Sequence, residues 1–172
     1  HYNPEVLIIN NLEFDHGDIY SSLLEIQKQF HNLIRTMSSE DCIVFPGDDK
    51  NIREVLDLGV WSKEVEFGVE GNSSNYFEAI KKDHSSVRFS INKKVVEINW
   101  NLLGEHNARN AITALLALQH FNLSLPDSAK SLESFSGVNR RLDTIIDRKD
   151  LKLFDDFAHH PTAIQETLKG LR

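Results

Sequence analysis

The stretch EVLIINNLEFDHGDIYSSLLEIQKQFHNLI, residues 5–34, begins with an apolar run and ends with an amphipathic one. Its first five residues are a candidate for a short buried strand, and Asp18 offers an N-cap for a helix after the polar residues that follow. Apolar side chains at spacings of three and four residues then form one stripe, consisting of Leu23, Ile26, Phe30 and Leu33. The stretch predicts a strand, a polar loop and a helix.

The same order of elements is repeated directly downstream. The run CIVF, residues 42–45, predicts a second strand, and Ile52, Val55 and Leu56 indicate a short helix that ends near Gly59. Strands that alternate with helices are typical of an α/β fold with a parallel sheet.

The pattern changes in residues 60–103. Here SVRFSI and KVVEINW alternate between apolar and polar residues on either side of Asn92-Lys93, which predicts an antiparallel hairpin in a small side sheet. Residues 104–121, GEHNARNAITALLALQHF, then predict a strong amphipathic helix, and a shorter helix is expected from Asp127 to Phe135.

The C-terminal part begins at a plausible hinge, SGVNRRLD, residues 136–143. The next segment, TIIDRKDLKLFDD, predicts a strand pair. A last helix is indicated by Pro161 and by Thr162 and Gln165, whose spacing fits a capping box.

Charge and cysteine content exclude several classes of protein. A net charge of −7 argues against the basic face that nucleic acid or an anionic membrane requires, so neither is an expected partner. Cys42 is the only cysteine, which excludes an intrachain disulfide and favours a reduced, cytoplasmic setting. The chain begins with His1 and stops at Arg172 inside a helical pattern, from which we expect a piece of a longer protein.

A first polar cluster follows the first predicted strand and consists of Glu13, Asp15, His16 and Asp18. Ligands bind at the carboxyl ends of strands in open α/β sheets, and carboxylates with an imidazole could hold a divalent cation there. Mg²⁺ prefers oxygen ligands and retains water, so a single His would be an unusual direct ligand, more favourable beside one or two carboxylates and phosphates. The alternative is that Asp18 only caps the helix and His16 only occupies a turn.

A second cluster lies in GEHNARN, where Asn107 and Asn110 are three residues apart on one face of the predicted helix. A carboxamide can pair with the N6 and N7 edge of adenine, which makes a nucleotide contact physically sensible. The alternative is that Asn107 caps the helix and Asn110 is solvated. His106 and His120 are interpreted as packing or surface residues.

The third and fourth clusters lie in the C-terminal part. Arg140 and Arg141 stand in the hinge, where a guanidinium suits phosphate or ribose oxygens, although surface arginines are common. The stretch DDFAHHPTAI, residues 155–164, places two carboxylates and two imidazoles before a helix. A zinc site is an alternative there, but no third ligand stands nearby at a suitable spacing. The phosphate-loop pattern G-x-x-x-x-G-K-[ST] is absent from the sequence.

Taken in order, five segments resemble the Mur ligase family: HYNPEVLIINNLEFDHGDIY, QKQFHNLI, GEHNARNA, RRLD and DDFAHHPTAIQETLKGLR. Members are ATP-dependent enzymes that join amino acids or peptides to the cell-wall precursor UDP-N-acetylmuramate. Within the family, the segments are most similar to the members that add a murein tripeptide, L-alanyl-γ-D-glutamyl-meso-diaminopimelate, and next to those that add L-alanine.

The resemblance implies an α/β fold in two parts. Residues 1–137 match the downstream part of the central ATPase domain, with a parallel sheet, helices and a small antiparallel sheet. Residues 138–172 match the beginning of a Rossmann-like C-terminal domain. ATP and Mg²⁺ are the implied cofactors, and UDP-N-acetylmuramate and the tripeptide are the implied partners, bound mainly by regions outside this chain.

The resemblance also implies roles for particular residues. His16 matches a position that binds Mg²⁺ near the γ-phosphate and is therefore both a catalytic and a metal candidate. Asn107 and Asn110 match the helix that faces adenine, while Arg141 and Asp156 match nucleotide contacts made by the C-terminal domain.

His159 and His160 match the nucleotide-facing loop of that domain and are the remaining catalytic candidates. Several members carry a carbamylated lysine in the helix after the Asp-His pair, and His31 stands about there in this sequence. A carbamate bridge to a second Mg²⁺ is therefore not expected.

Two further expectations concern the chain as a whole. Because the phosphate loop is absent, we expect the isolated chain to be inactive and to bind ATP weakly or not at all. Because the hinge separates the asparagines from Asp156 and Arg141, we expect these two halves of the site to stand apart in this chain. A non-catalytic domain that binds a nucleotide or a partner is the alternative function.

Overall fold

The structure is a computed structural model and describes residues 3–69, 73–138 and 141–171. Within these ranges the chain forms eight strands and five helices. In chain order they are β1 (Val6–Ile8), α1 (Leu23–Ile34), β2 (Cys42–Pro46), α2 (Lys50–Leu56), β3 (Lys63–Val69), β4 (Tyr76–Ala79), β5 (Ser86–Ile91), β6 (Lys94–Asn99), α3 (Glu105–His120), α4 (Leu125–Glu133), β7 (Asp143–Asp147), β8 (Lys152–Asp155) and α5 (Pro161–Gly170).

The main sheet has six strands in the order β1-β2-β3-β4-β5-β6. Strands β1 to β4 pair in parallel, whereas β5 is antiparallel to both of its neighbours, β4 and β6. This arrangement confirms the predicted α/β class. The predicted hairpin is also confirmed, since Ile91 pairs with Lys94 and the turn residues Asn92 and Lys93 have φ values of 50° and 66°. The hairpin extends the main sheet through β4. The separate antiparallel sheet is the pair β7-β8.

Helices cover both faces of the main sheet, and β2 shows why. Its side chains are buried on alternate faces: Val44 belongs to the core beneath α3 and α4, whereas Ile43 and Phe45 belong to the core with α1 and α2. A strand buried on both sides has no polar face, which accounts for the uninterrupted run CIVF. The result is a three-layer arrangement in which the carboxyl ends of β1 and β2 lie at one edge.

The beginning of α1 differs from the prediction. The helix starts at Leu23 after Ser22, so Asp18 is not its N-cap. Residues 17–19 instead form a turn in which the N–H groups of Ile19 and Tyr20 donate to the carbonyl of His16, at 2.8 and 2.9 Å. The chain closes this separate turn first, and the helix begins only after Ser22.

The short helices begin near the predicted positions. Asp49 caps α2 by accepting from the N–H of Ile52 at 3.1 Å, and Gly59 follows the helix with a φ of +116°. The helix expected from Asp127 begins two residues earlier, at Leu125, with Ser124 as its N-cap.

The C-terminal segment consists of the β7-β8 pair and α5. The strand pair and the helix at Pro161 confirm the prediction, but the capping box does not form, because His160 is the N-cap and its side chain makes no capping bond. Arg140 and part of the hinge lie outside the described residues. None of the helices in the described ranges is both long and apolar enough to cross a membrane.

Candidate functional site

The loop after β1 is anchored to the start of α2. The N–H of Leu12 donates to Oδ2 of Asp49 at 3.0 Å, and Nδ2 of Asn51 donates to the carbonyl of Leu12 at 2.7 Å. Leu12 is itself buried. These contacts fix the base of the loop, so the polar residues that follow project from a rigid edge of the sheet.

Asp15 and His16 form a tight pair in that loop. The N–H of His16 donates to Oδ1 of Asp15 at 2.7 Å, and Nε2 of His16 lies 3.9 Å from Oδ2. His16 has a φ of +53°, a left-handed conformation that is uncommon outside glycine and is often found at functional sites. The N–H of His16 lowers the pKa of the Asp15 carboxyl, and the nearby imidazoles of His16, His160 and His159 lower it further.

A cavity of about 280 Å³ opens beside this pair. Glu13, Asp15 and His16 line it from the loop, and Gln29 and Phe30 line it from α1. A second cavity, of about 330 Å³, lies at the ends of β2 and β3 and is lined by residues 47–48 and 66–69. Three residues of the predicted cation cluster, Glu13, Asp15 and His16, therefore line the first cavity, whereas Asp18 does not.

The described residues contain no group of three or more His, Cys, Asp or Glu side chains arranged to hold a metal ion. Asp15 and His16 can supply at most two ligands. Mg²⁺ is commonly held by one or two carboxylates and completes its shell with water and phosphate oxygens; Asp15 supplies one such carboxylate, and His16 would be an unusual nitrogen ligand beside it. The residues present fit a cation that arrives with a nucleotide.

The first turns of α3 lie beside the same edge of the sheet. Nδ2 of Asn10, just after β1, donates to Oδ1 of Asn110 at 3.0 Å. Nδ2 of Asn107 donates to the carbonyl of Leu103 at 2.8 Å and lies 3.1 Å from Nε2 of His106. Gly104 is the N-cap, so Asn107 does not cap the helix. Asn110 is exposed and retains its amide N–H groups for a ligand.

Arg109 was not singled out from the sequence, yet it holds α3 against the loop after β2. Its Nη1 and Nη2 donate to the two carboxylate oxygens of Asp48 at 3.2 and 2.8 Å, and Nε donates to Glu105 at 2.8 Å. The hydrogen bonds that Arg109 donates to Asp48 raise the pKa of Arg109, and they lower the pKa of Asp48. A sequence signal would have been the i,i+4 spacing of Glu105 and Arg109, which does not identify Asp48.

Asp156 organises the C-terminal loop. Its Oδ2 accepts from the N–H of Leu142 at 2.9 Å, and its Oδ1 accepts from the N–H of Ala158 at 2.7 Å and lies 3.4 Å from the Thr167 hydroxyl. Leu142 has a φ of +57°, so this carboxylate also holds a strained residue. Both carboxylate oxygens of Asp156 thus accept hydrogen bonds from the protein. Arg141, the residue before Leu142, is exposed.

The start of α5 meets the loop after β1. Oγ1 of Thr162 donates to Oε2 of Glu13 at 2.7 Å, and Nδ1 of His160 lies 3.5 Å from Oε1. His159 contacts the carbonyl of Phe157 at 2.9 Å through Nδ1. The first and fourth polar clusters therefore meet in the fold through Glu13 and Thr162, which are 149 positions apart in the sequence.

His106 lies where the two parts of the chain meet. Burial lowers the pKa of its imidazole, while the nearby carboxylates of Glu166 and Asp156 act in the opposite direction and Arg141 adds to the lowering. The expectation that the two parts stand apart is wrong for this structure, because α5 contacts α3 and the Thr162 hydroxyl at its start donates to Glu13 in the central part.

Comparison with known proteins shows what the whole chain is similar to. Residues 1–118 match the model of the Mur ligase middle domain. A UDP-N-acetylmuramate–L-alanyl-γ-D-glutamyl-meso-2,6-diaminoheptandioate ligase of Escherichia coli K12 is 39% identical over 100% of the chain and 37% of its own length. A UDP-N-acetylmuramate–L-alanine ligase of Pelagibacter ubique is 32% identical over 100% of the chain and 39% of its own length.

The fold agrees as well. The crystal structure of a murein peptide ligase from Psychrobacter arcticus matches 99% of the chain with a TM-score of 0.76 and 36% identity. The chain covers 35% of that protein, and it spans a little over a third of the length of the curated relatives above.

Proposed function

Because the chain belongs to the Mur ligase family, we propose that it is part of an ATP-dependent ligase that joins L-alanyl-γ-D-glutamyl-meso-diaminopimelate to UDP-N-acetylmuramate. The observation that carries this proposal is the 39% identity over the whole chain with a ligase named for that tripeptide, compared with 32% for an L-alanine ligase. An L-alanine ligase of the same family is the second candidate.

We assign residues 1–137 to the central ATPase domain and residues 138–172 to the start of the C-terminal domain. The separation of the sheets supports this division, since β1–β6 form one sheet and β7 and β8 form another. The boundary falls beside residues 139–140, between α4 and β7.

The proposed reaction has two steps. The carboxylate of UDP-N-acetylmuramate attacks the γ-phosphate of ATP, giving an acyl phosphate and ADP; the amine of the tripeptide then displaces inorganic phosphate and forms the amide bond. Both steps concentrate negative charge, and bound Mg²⁺ would offset it. His16 and Asp15 are the residues that would hold the cation, because they form a fixed pair at a cavity beside the strand ends.

The nucleotide is assigned to the adjoining surface. The Nδ2 group of Asn110 would donate to adenine, and Asn107 would hold the first turn of α3 in shape through its bond to the Leu103 carbonyl. Arg141 is exposed and able to reach phosphate or ribose oxygens, whereas Asp156 would act mainly by fixing the loop that carries Arg141 and His159.

His159 and His160 are assigned to the reacting groups from the C-terminal side. Nδ1 of His160 lies 3.5 Å from Oε1 of Glu13, which is two residues from Asp15 and lines the same cavity, so the loop that carries both histidines approaches the cation site. An imidazolium there would help to neutralise the transferred phosphoryl group.

The test is an assay of the full-length parent protein with UDP-N-acetylmuramate and ATP, offered the tripeptide or L-alanine. We expect product formation and phosphate release with the tripeptide. Turnover with L-alanine alone would establish the second candidate, and no turnover with either would overturn both.

A non-catalytic nucleotide- or partner-binding domain is a function of a different class. The parent reading frame distinguishes it, because a ligase requires the phosphate-loop pattern upstream of His1. We also propose a cytoplasmic location, which is supported by the buried free thiol of Cys42.

A further inference from the structure

One carboxylate, that of Glu13, joins the loop after β1 to the start of α5. Oε2 accepts the 2.7 Å bond from Thr162, and Oε1 lies 3.5 Å from His160 and accepts a 3.2 Å bond from Nδ2 of Asn11. Nδ1 of His160 makes no hydrogen bond within the described part of the chain. Both oxygens of Glu13 are therefore engaged, and a bond from a hydroxyl to a carboxylate is stronger than one between neutral groups.

The opposite end of α5 is held by a contact between two glycines. A Cβ placed on Gly170 would lie 3.3 Å from Cα of Gly104 and 3.7 Å from its nitrogen. Gly104 has a φ of +88°, so its backbone conformation alone requires glycine. Gly170 has an ordinary helical conformation, so glycine is favoured there only because the two backbones approach closely and a side chain would push them slightly apart.

The remainder of α5 is held loosely. No residue of Pro161–Gly170, all of which are described, is buried, and Ile164 and Leu168 are 42% and 55% exposed. Little apolar area fixes the helix on the central part, so the contacts at its two ends determine where it stands.

We propose that Glu13 is a positioning residue, whose carboxylate sets where the start of α5 stands relative to Asp15 and His16. Glu13 is two residues from Asp15 on the same anchored loop, and His160 is the N-cap of α5. A movement of either segment is thereby transmitted to the other through a single side chain. The contact lies within the chain and does not depend on the proposed ligase activity.

The direct test measures amide hydrogen exchange of α5 in the 172-residue chain. Glu13→Ala should speed exchange at residues 164–168 by about tenfold, which corresponds to the loss of one charge-assisted hydrogen bond. Thr162→Val removes only the hydroxyl donor and should give a similar increase, and the double variant should add little to either. Glu40→Ala is the matched control, because Glu40 is exposed and paired only loosely with Lys63, at 3.5 Å.

Conservative variants separate positioning from general loosening. Glu13→Gln keeps a carbonyl oxygen at the same reach and should restore most of the slow exchange, whereas Glu13→Asp is one methylene shorter and should behave like Glu13→Ala. Unchanged α5 exchange in both Glu13→Ala and Thr162→Val overturns the proposal. If Glu13→Ala also speeds exchange in the core of α3, Thr162→Val alone decides the question.

The full-length protein supplies the functional measurement. Glu13→Ala should lower kcat by about tenfold and change the KM for ATP less, because it displaces groups that act on the reacting centre. If no ligase activity is found but α5 exchange responds, the proposed function fails and the role of Glu13 stands. If activity is present and Glu13→Ala changes neither kcat nor α5 exchange, the role of Glu13 fails and the function stands.

Discussion

Arg109 offers the sharpest test of how the central part is held together. Its guanidinium makes three charge-assisted hydrogen bonds, two to Asp48 and one to Glu105, and lies 6.0 Å from the centre of the Phe77 ring. The arginine side chain is 27% exposed and the carboxylates are 56% and 42% exposed. The network is therefore only partly screened by water.

The expected loss can be worked from these exposures. A hydrogen bond to a charged group contributes roughly 1.5–3 kcal/mol when buried, and an exposed ion pair contributes about 0–1 kcal/mol. Water re-solvates both carboxylates when the arginine is removed, so the contribution of each carboxylate lies between these two cases, at about 1 kcal/mol. We expect Arg109→Ala to lower the free energy of unfolding by about 2 kcal/mol.

Urea unfolding, followed by fluorescence and far-UV circular dichroism, measures this change. Trp100 is a suitable probe because it is 7% exposed and its indole N–H donates to the carbonyl of His84 at 2.7 Å, whereas Trp61 is already 73% exposed in the folded chain. With a slope of about 2 kcal/mol per molar urea, the midpoint should fall by about 1 M.

Arg88→Ala is the matched control. Arg88 also contacts two carboxylates, those of Glu97 and Glu78, but it is 43% exposed on the hairpin. We expect a smaller midpoint shift that disappears in high salt. Equal shifts for the two variants, or a shift below about 0.3 M for Arg109→Ala, would refute the reasoning.

Four further outcomes are expected. Burial lowers the pKa of His106, so its imidazole is neutral in the folded and the unfolded chain above about pH 6.5. As the pH falls below this value, the unfolded chain takes up the proton first and the free energy of unfolding decreases. His106→Gln should flatten this pH dependence when it is measured by urea titration. If the full-length protein has the proposed ligase activity, Asn110→Ala should raise the KM for ATP more than it lowers kcat, and a pure kcat loss would count against an adenine contact. His16→Ala should reduce activity by about 10²-fold and require more Mg²⁺, so an unaltered Mg²⁺ dependence would remove His16 from the site. Asp156→Ala should lower ATP affinity or turnover, and it should speed hydrogen exchange at the N–H groups of Leu142 and Ala158, which donate to its carboxylate. A variant that changes neither measurement would contradict the role of Asp156.

Elements whose cause is local could be predicted from the sequence. The run CIVF is apolar at every position because β2 is buried on both faces, and Asn92-Lys93 forms a turn whose two residues adopt positive φ. The α2 helix begins at a capping aspartate and is followed by a glycine in the left-handed region. In each case the residue responsible stands within the element or next to it.

Local rules gave the wrong answer at two helix starts, one where a distant partner competes and one where a local turn comes first. Thr162 has the spacing of a capping residue, but its hydroxyl donates to Glu13 on the loop after β1. Asp18 has the character of an N-cap, but the turn around His16 delays the helix to Leu23. A cap contributes about 1 kcal/mol, which one competing hydrogen bond to a carboxylate is enough to outweigh.

The sequence by itself determined the order of strands and helices, the family, and the loops that carry polar residues, because periodicity, turn residues and motif order are properties of neighbouring positions. Only the tertiary structure decided which of those loops meet. Asn10 donates a hydrogen bond to Asn110 across 100 positions, Arg109 to Asp48 across 61, and Thr162 to Glu13 across 149. These pairings follow from the stacking of helices on the sheet and from the approach of two glycine backbones, and no short-range pattern encodes either.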